Sequence, residues 1–177
     1  QARGPANSPR SSPVQIPGAW KMISGTKQAV YGVKQNNTLW AWGSIQNGQL
    51  GNNEANPNPA PSGLSSPVQI PGAWNRVYNT QTYTGMATKT DNTLWAWGVN
   101  DFGILGQNQA GPSLPAISSP TQIPGSWSSA GQVGANGEGV FTKTDGTLWV
   151  WGRANGLNTA PVKRSSPVQV GTDTDWG

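Results

Sequence analysis

The sequence predicts an all-β chain in which copies of one four-stranded antiparallel unit are stacked side by side. Two alternating motifs carry this prediction. TLWAWG, once as TLWVWG, occurs three times, and SSPVQIPG or a close variant occurs four times. A repeat of this length is a supersecondary unit of several strands, which buries its apolar surface only against neighbouring copies.

The strands of the first copy follow from short alternating segments separated by turn residues. Val14–Ile16 is predicted as a first strand, ended by Pro17-Gly18, a pair that suits a type II turn. Residues 20–24 form the predicted second strand and residues 29–34 the third. Residues 39–42, within TLWAWG, form the fourth.

The turn between the third and fourth strands gives the sharpest local prediction. Its central residues are Asn36-Asn37 in the first copy, Asp91-Asn92 in the second and Asp145-Gly146 in the third. These residue types tolerate positive φ angles. The pattern therefore predicts two-residue type I′ hairpins, with positive φ at both central residues.

The fourth strand has two apolar faces. Trp40 and Trp42 point to one side, and Leu39 and Ala41 to the other. A strand buried on both sides lies between two layers, which favours the radially stacked blades of a β-propeller. The predicted core consists of tryptophans at fixed repeat positions, namely Trp20, Trp40, Trp42, Trp74, Trp95, Trp97, Trp127, Trp149 and Trp151.

The motif spacing divides the chain into three complete blades and part of a fourth, an incomplete propeller that we expect to belong to a larger, seven-bladed one. Open edges and end faces invite association, so we expect contact with further polypeptide of the same chain or with other copies. Val168–Val170 is expected to pair with strands outside this sequence. The predicted segments are a linker over 1–10, blades with their linkers over 11–64, 65–117 and 118–164, and the start of a further blade over 165–177.

The composition argues against catalysis and metal binding. The chain has no Cys and no His, and only 11 basic and 7 acidic side chains, with a net charge of +4. The basic residues are dispersed rather than clustered as in a nucleic-acid binder, and no apolar run approaches a membrane span. Lys34, Lys89 and Lys143 share one repeat position, which we interpret as a solvated strand end. We predict no enzyme activity, no metal and no cofactor.

The combined motifs resemble the regulator-of-chromosome-condensation repeat family, in particular its Trp-rich bacterial and viral members. The signature WGSIQNGQLG lies at Trp42–Gly51, WGVNDFGILG at Trp97–Gly106, and a shortened copy at Trp151–Asn158. The resemblance implies a propeller, usually of seven blades. It is also associated with nucleotide exchange on a small GTPase and with chromatin binding. The family's His position holds Ala29, Thr84 and Glu138 here, so no such site is transferred.

These observations favour a non-enzymatic scaffold or interaction segment of a larger extracellular or virion structural protein, such as a phage fibre, decoration or cell-surface protein. Its partner is expected to be protein, bound through the variable loops 44–64 and 99–117. The alternative is a glycan-binding lectin module, with Tyr31, Tyr78 and Tyr83 as sugar contacts. An intracellular exchange factor or chromatin scaffold is a third interpretation.

Overall fold

The protein forms three antiparallel sheets of four strands each in a computed structural model that describes residues 12–54, 63–111, 116–154 and 162–176. The described residues contain no helix. The predicted fold class, all-β with four-stranded blades of an incomplete propeller, is confirmed. The strands are β1 (Trp20–Gly25), β2 (Ala29–Lys34), β3 (Leu39–Ser44), β4 (Gly63–Ile70), β5 (Trp74–Val77), β6 (Thr84–Lys89), β7 (Leu94–Val99), β8 (Ala116–Ile123), β9 (Trp127–Val133), β10 (Glu138–Lys143), β11 (Leu148–Ala154) and β12 (Val162–Val170).

Each sheet consists of consecutive strands in sequence order, so the first sheet holds β1–β4, the second β5–β8 and the third β9–β12. This order corrects the predicted grouping, in which the SSPVQI segment opened a sheet. The segment instead closes the preceding sheet, because β4 pairs with β3 through Leu39 opposite Ile70. Likewise β12 pairs with β11 through Leu148 opposite Val170, so the prediction that Val168–Val170 needs outside strands was wrong.

The first copy of this segment behaves differently from its counterparts. Val14–Ile16, predicted as a strand, forms none, and the Val14 side chain is 61% exposed. Every later copy pairs with a TLWAWG or TLWVWG strand that precedes it in the chain. No such strand precedes Val14 in this sequence. The predicted 1–10 linker lies outside the described residues.

The hairpins between the second and third strands of each sheet have three-residue loops. The Asn37 amide donates to the Lys34 carbonyl at 2.9 Å, and the Lys34 amide donates to the Thr38 carbonyl at 2.9 Å. Of the two residues that we predicted at positive φ, only the second has it, with 61° at Asn37, 64° at Asn92 and 81° at Gly146. The type I′ prediction was therefore wrong, and each hairpin is a type I turn followed by a left-handed residue.

A side chain explains this turn type. The Asn36 carboxamide oxygen accepts hydrogen bonds from the Thr38 amide at 3.3 Å and from the Thr38 hydroxyl at 2.8 Å. Asp91 and Asp145 do the same with Thr93 and Thr147. Such local bonds are those of an Asx-turn, which holds the residue without a positive φ.

The core lies between neighbouring sheets and is built from indoles. Trp74 and Trp97, together with Tyr31 and Leu39, belong to one buried cluster that joins the first and second sheets. A second cluster joins the second and third sheets around Trp127 and other side chains. Trp74, Trp97, Trp127 and Trp151 have no exposed surface, whereas Trp20, Trp40, Trp42, Trp95 and Trp149 are half-buried.

The long loops after β3 and β7 fasten each sheet to the next one. The Trp97 indole N–H donates to the Gln49 carbonyl at 2.9 Å, and the Trp151 indole N–H donates to the Ile104 carbonyl at 2.6 Å. We predicted the loops 44–64 and 99–117 as connections between blades. In fact they connect the third and fourth strands of one sheet, and the short turns 71–73 and 124–126 join successive sheets.

Because the strands alternate in direction, the connections fall at two ends of the sheets. The hairpins and the turns between sheets share one end, which we call the hairpin end. The loops after the first and third strands share the other, which we call the loop end. The segments that vary most between copies therefore begin from a single end of the molecule.

Candidate functional site

A cavity lies where the first strands of the three sheets converge. Its volume is ≈ 360 Å³, and its lining comes from Met22–Ser24, Arg76–Asn79, Gln81 and Gly131–Val133. These residues belong to β1, β5 and β9 or directly follow β5. Since they lie toward the ends of those strands, the cavity opens in the half of the molecule near the loop end.

The cavity wall is polar and includes one cation. The Arg76 guanidinium lies 5.5 Å from the centre of the Tyr78 ring. The Tyr78 hydroxyl donates to the Ser129 carbonyl at 3.1 Å, and burial raises the pKa of Tyr78. Tyr78 therefore remains neutral and fixed, and Arg76 is the charged group that the cavity presents to a ligand.

Two clusters of cations and aromatic rings also lie at the loop end. Lys27 Nζ lies 5.1 Å from the Tyr83 ring centre. Arg153 Cζ and Lys163 Nζ lie 5.2 Å and 5.4 Å from the Phe102 ring centre. Exposed cations over aromatic rings combine charge with apolar area, and arginine and aromatic side chains are enriched at protein interfaces.

Backbone hydrogen bonds join the loop end of the first sheet to that of the second. The Lys27 amide donates to the Thr82 carbonyl at 3.2 Å, and the Thr80 amide donates to the Gly25 carbonyl at 3.3 Å. Within the second sheet, Thr84 Oγ1 donates to the Val99 carbonyl at 2.7 Å. The two clusters are thus presented on a connected surface rather than on independent loops.

The three tyrosines predicted as sugar contacts have different environments. Tyr31 has no exposed surface, its hydroxyl donates to the Gln49 carbonyl, and burial raises its pKa, so its predicted role as a ligand contact is wrong. Tyr78 contributes to the cavity wall with 3% of its surface exposed. Tyr83 is half-buried under Lys27. Tyr31 and Tyr78 therefore occupy the interior, and Tyr83 is the most accessible of the three.

The repeat-related lysines at the hairpin end are not merely solvated. Each ammonium lies over the ring of the half-buried tryptophan of its own sheet, and each is also 5.1–5.4 Å from the ring of the first-strand tryptophan. The pairs are Lys34–Trp40 at 4.1 Å, Lys89–Trp95 at 3.7 Å and Lys143–Trp149 at 3.6 Å. The sequence pattern did not predict these contacts, because each joins a lysine to a tryptophan on the neighbouring strand. Which residues meet depends on how the two strands are paired.

The carboxylates of the described residues form no recognisable reactive centre. Hydrogen bonds from Thr93 and Thr147 lower the pKa values of Asp91 and Asp145, which hold their turns. Asp101 and Glu138 do not line the cavity. Within the described ranges there is no group of three or more acidic, His or Cys side chains placed to hold a metal ion, and no helix there is long and apolar enough to cross a membrane.

Comparison with solved structures shows which fold this arrangement has. The chain is similar to Prp20p from Saccharomyces cerevisiae, with 18% identity and a TM-score of 0.70 over 87% of this chain and 39% of that one. It is also similar to yeast RCC1 (Prp20) in a complex with Kap60, with 16% identity and a TM-score of 0.71 over 87% and 37%. Human WBSCR16 matches with 17% identity and a TM-score of 0.69 over 88% and 39%.

The fold is therefore the β-propeller of RCC1-like proteins, and this chain spans about two fifths of the length of those proteins. No protein-family model matches the sequence. No curated protein matches it either.

Proposed function

We propose that this chain is a non-enzymatic interaction scaffold that binds a protein partner through its loop end. The supporting observation is an asymmetry between the two ends. The hairpin end repeats the same turns and lysine–indole pairs in every sheet. The loop end instead combines variable loops, a cavity of ≈ 360 Å³ and two different cation–aromatic clusters. Function concentrates on such loops when a rigid scaffold supports them.

The chemistry of the loop end favours a partner with exposed carboxylates. Lys27, Arg153 and Lys163 are exposed cations beside aromatic rings, and Arg76 adds a fourth charge in the cavity. The acidic side chains among the described residues at the same end are the exposed Asp101 and the half-buried Glu138, and the exposed Glu54 lies in the loop after β3. The cations are therefore in excess. The structurally similar propellers give a precedent for protein partners, since Prp20p is described with Gsp1p and histones, and yeast RCC1 with Kap60.

We further propose that the scaffold belongs to a larger extracellular or virion structural protein. The support is compositional. The chain carries 10% charged residues and no Cys, and its surface relies on neutral polar side chains. These properties suit a durable exposed appendage better than a nuclear or cytosolic exchange factor.

Site-specific photo-crosslinking in the native host material tests this proposal. A photoreactive amino acid is introduced at position 83 at the loop end or, as the matched control, at position 90 in a hairpin. We expect one defined protein to be crosslinked from position 83. After purification, that protein should bind the unsubstituted chain and should not bind the Arg76→Glu variant. Equal adducts from both positions, or a defined adduct from position 90 only, would contradict the proposal.

A further inference from the structure

A second cavity lies on a different part of the molecule, at the junction of the first and second sheets. Its volume is ≈ 430 Å³. One wall is the loop segment Gly51–Glu54 of the first sheet, and the others come from the ends of β4, β5, β6 and β7 and from Ser119-Pro120 of β8. Small-molecule sites commonly have volumes in this range.

The cavity combines a cation, a carboxylate and an indole. Lys89 Nζ lies 3.7 Å from the Trp95 ring centre and 5.1 Å from that of Trp74. Glu54 Oε2 accepts a hydrogen bond from Asn52 Nδ2 at 2.8 Å. The Gln69 amide and the half-buried Trp95 indole complete the polar and apolar parts of the wall.

The equivalent position at the junction of the second and third sheets holds a different side chain. Gln107 occupies the repeat position of Asn52, and Gln122 that of Gln69. Gln107 Nε2 donates to the Gln122 carbonyl at 2.9 Å and to the Leu105 carbonyl at 3.0 Å, so its amide bridges the gap. Asn52 is one methylene shorter and bonds to Glu54 instead. The two junctions therefore differ in the side chain at this repeat position and in the hydrogen bonds that it makes.

We infer that the cavity is a carbohydrate site for a pyranose that carries a carboxylate, such as a hexuronic acid unit. The Lys89 ammonium faces the sugar carboxylate, and charge-assisted hydrogen bonds of this kind are stronger than neutral ones. Glu54 and Gln69 bind hydroxyl groups. The two prolines in the lining supply the apolar wall on which the C–H face of the ring packs, beside the Trp95 indole that Lys89 covers. The lining of this cavity shares no residue with the cavity around Arg76. Its test can therefore fail or succeed separately from the test of the proposed function.

Titration of the full chain with methyl glucuronide, followed by tryptophan fluorescence and calorimetry, tests the inference. We expect saturable binding of the glucuronide and at least about tenfold weaker binding of both methyl glucoside and acetate, since each lacks one half of the recognised chemistry. Acetate binding as tight as that of the glucuronide would show a simple anion site. Glucoside binding as tight as that of the glucuronide would show that Lys89 does not recognise the carboxylate. Either result, or no binding of the glucuronide, overturns the inference.

The chain itself supplies a matched pair of variants. Asn52→Gln copies the residue found at 107 and should weaken glucuronide binding by about tenfold or more, because its amide closes the cavity. The control Gln107→Asn alters the other junction and should leave this binding unchanged. If Asn52→Gln fails to fold by circular dichroism, Lys89→Gln replaces it and should also weaken binding, because it removes the cation that faces the carboxylate. Full binding in a folded variant at either position contradicts the inference.

Discussion

The first and second sheets contain the same hexapeptide, TLWAWG, in two environments. Trp97 of the second sheet has no exposed surface and donates its indole N–H to the Gln49 carbonyl of the loop that crosses from the first sheet. Trp42, its counterpart in the first sheet, is half-buried and packs on Trp20 with ring centres 5.9 Å apart. No described residue from a preceding sheet crosses over Trp42. The burial of this indole is therefore determined by the neighbouring sheet and not by the hexapeptide.

A cross-strand partner adds to the difference. Trp97 lies opposite Gly85, and Trp42 lies opposite Val30. A Cβ atom at position 85 would lie 2.2 Å from the Trp97 ring. The covered indole thus lies directly over a glycine backbone, and the half-buried indole over a branched side chain. The third sheet follows the second, with Gly139 opposite Trp151.

Truncation of the two indoles should give the largest difference in stability between the first and second sheets. Trp97→Ala should lower the free energy of unfolding by about 3–5 kcal/mol, because it leaves a large cavity between two sheets. Trp42→Ala should cost clearly less, since part of its indole already contacts solvent. Urea denaturation of both variants gives the two values. Equal losses would show that the sheets do not stack as described.

Filling the position under the covered indole should have the next largest effect. Gly85→Val gives the second sheet the residue of the first, and the overpacked side chain should cost about 1–3 kcal/mol. The reciprocal Val30→Gly should cost about 1 kcal/mol or less, mainly from backbone entropy. Thermal unfolding measures both. A neutral Gly85→Val would mean that Trp97 is free to move.

The buried Tyr31 should make the stability of the chain depend on pH in the alkaline range. Burial raises the pKa of Tyr31, so the folded state favours the neutral phenol. Its contribution is complete below the unfolded pKa of about 10 and is lost as the pH rises above it. Tyr31→Phe should therefore reduce the loss of stability at alkaline pH, at a cost of about 1 kcal/mol at neutral pH for the missing hydrogen bond. Urea denaturation of the unsubstituted chain and the Tyr31→Phe variant across the alkaline range measures the difference, and parallel pH profiles would contradict it.

The smallest expected effect concerns the hairpins in acid. Hydrogen bonds from Thr93 lower the pKa of Asp91, so its contribution is present above an unfolded pKa of about 4 and is lost as the pH falls through the lowered value. Asp91→Asn keeps the acceptor of the first-sheet hairpin and removes the charge. It should remove this loss of stability in acid and make the chain slightly less stable than the unsubstituted one at neutral pH, where the charged Asp91 contributes. Asn36→Asp should have the opposite effect, as measured by thermal unfolding across the acid range.

Local patterns predicted the positions of most strands but not all of their partners. Residues 29–34 were correctly predicted as a strand, and the strand predicted at 39–42 extends to Ser44, because alternation and Asx residues are visible in a short window. Whether Val68–Ile70 pairs forward or backward depends on the path of a long loop, which no local signal encodes. The hairpin type was missed because Asn and Asp suit both a type I′ turn and an Asx-turn.

The candidate sites were less predictable, because their residues come together only when distant segments of the chain fold against one another. Arg76 carries no motif and becomes notable only when the first strands of three sheets converge on one cavity. Tyr31 was predicted as a sugar contact, yet it has no exposed surface and bonds to Gln49 in the loop after β3. The difference between Asn52 and Gln107 is visible in the sequence, but its meaning depends on the register that places Gln122 within reach.

The most direct test of the stacking is hydrogen exchange of the individual indole N–H groups, measured by nuclear magnetic resonance on the full chain. Trp97 and Trp151 donate these protons to carbonyl groups of the preceding sheet's loop and are fully buried. We expect both to exchange slowly, by global or large-scale opening, and Trp42 to exchange much faster. Protection of Trp42 equal to that of Trp97, or rapid exchange at Trp97 and Trp151, would contradict the claim that a neighbouring sheet buries the indole.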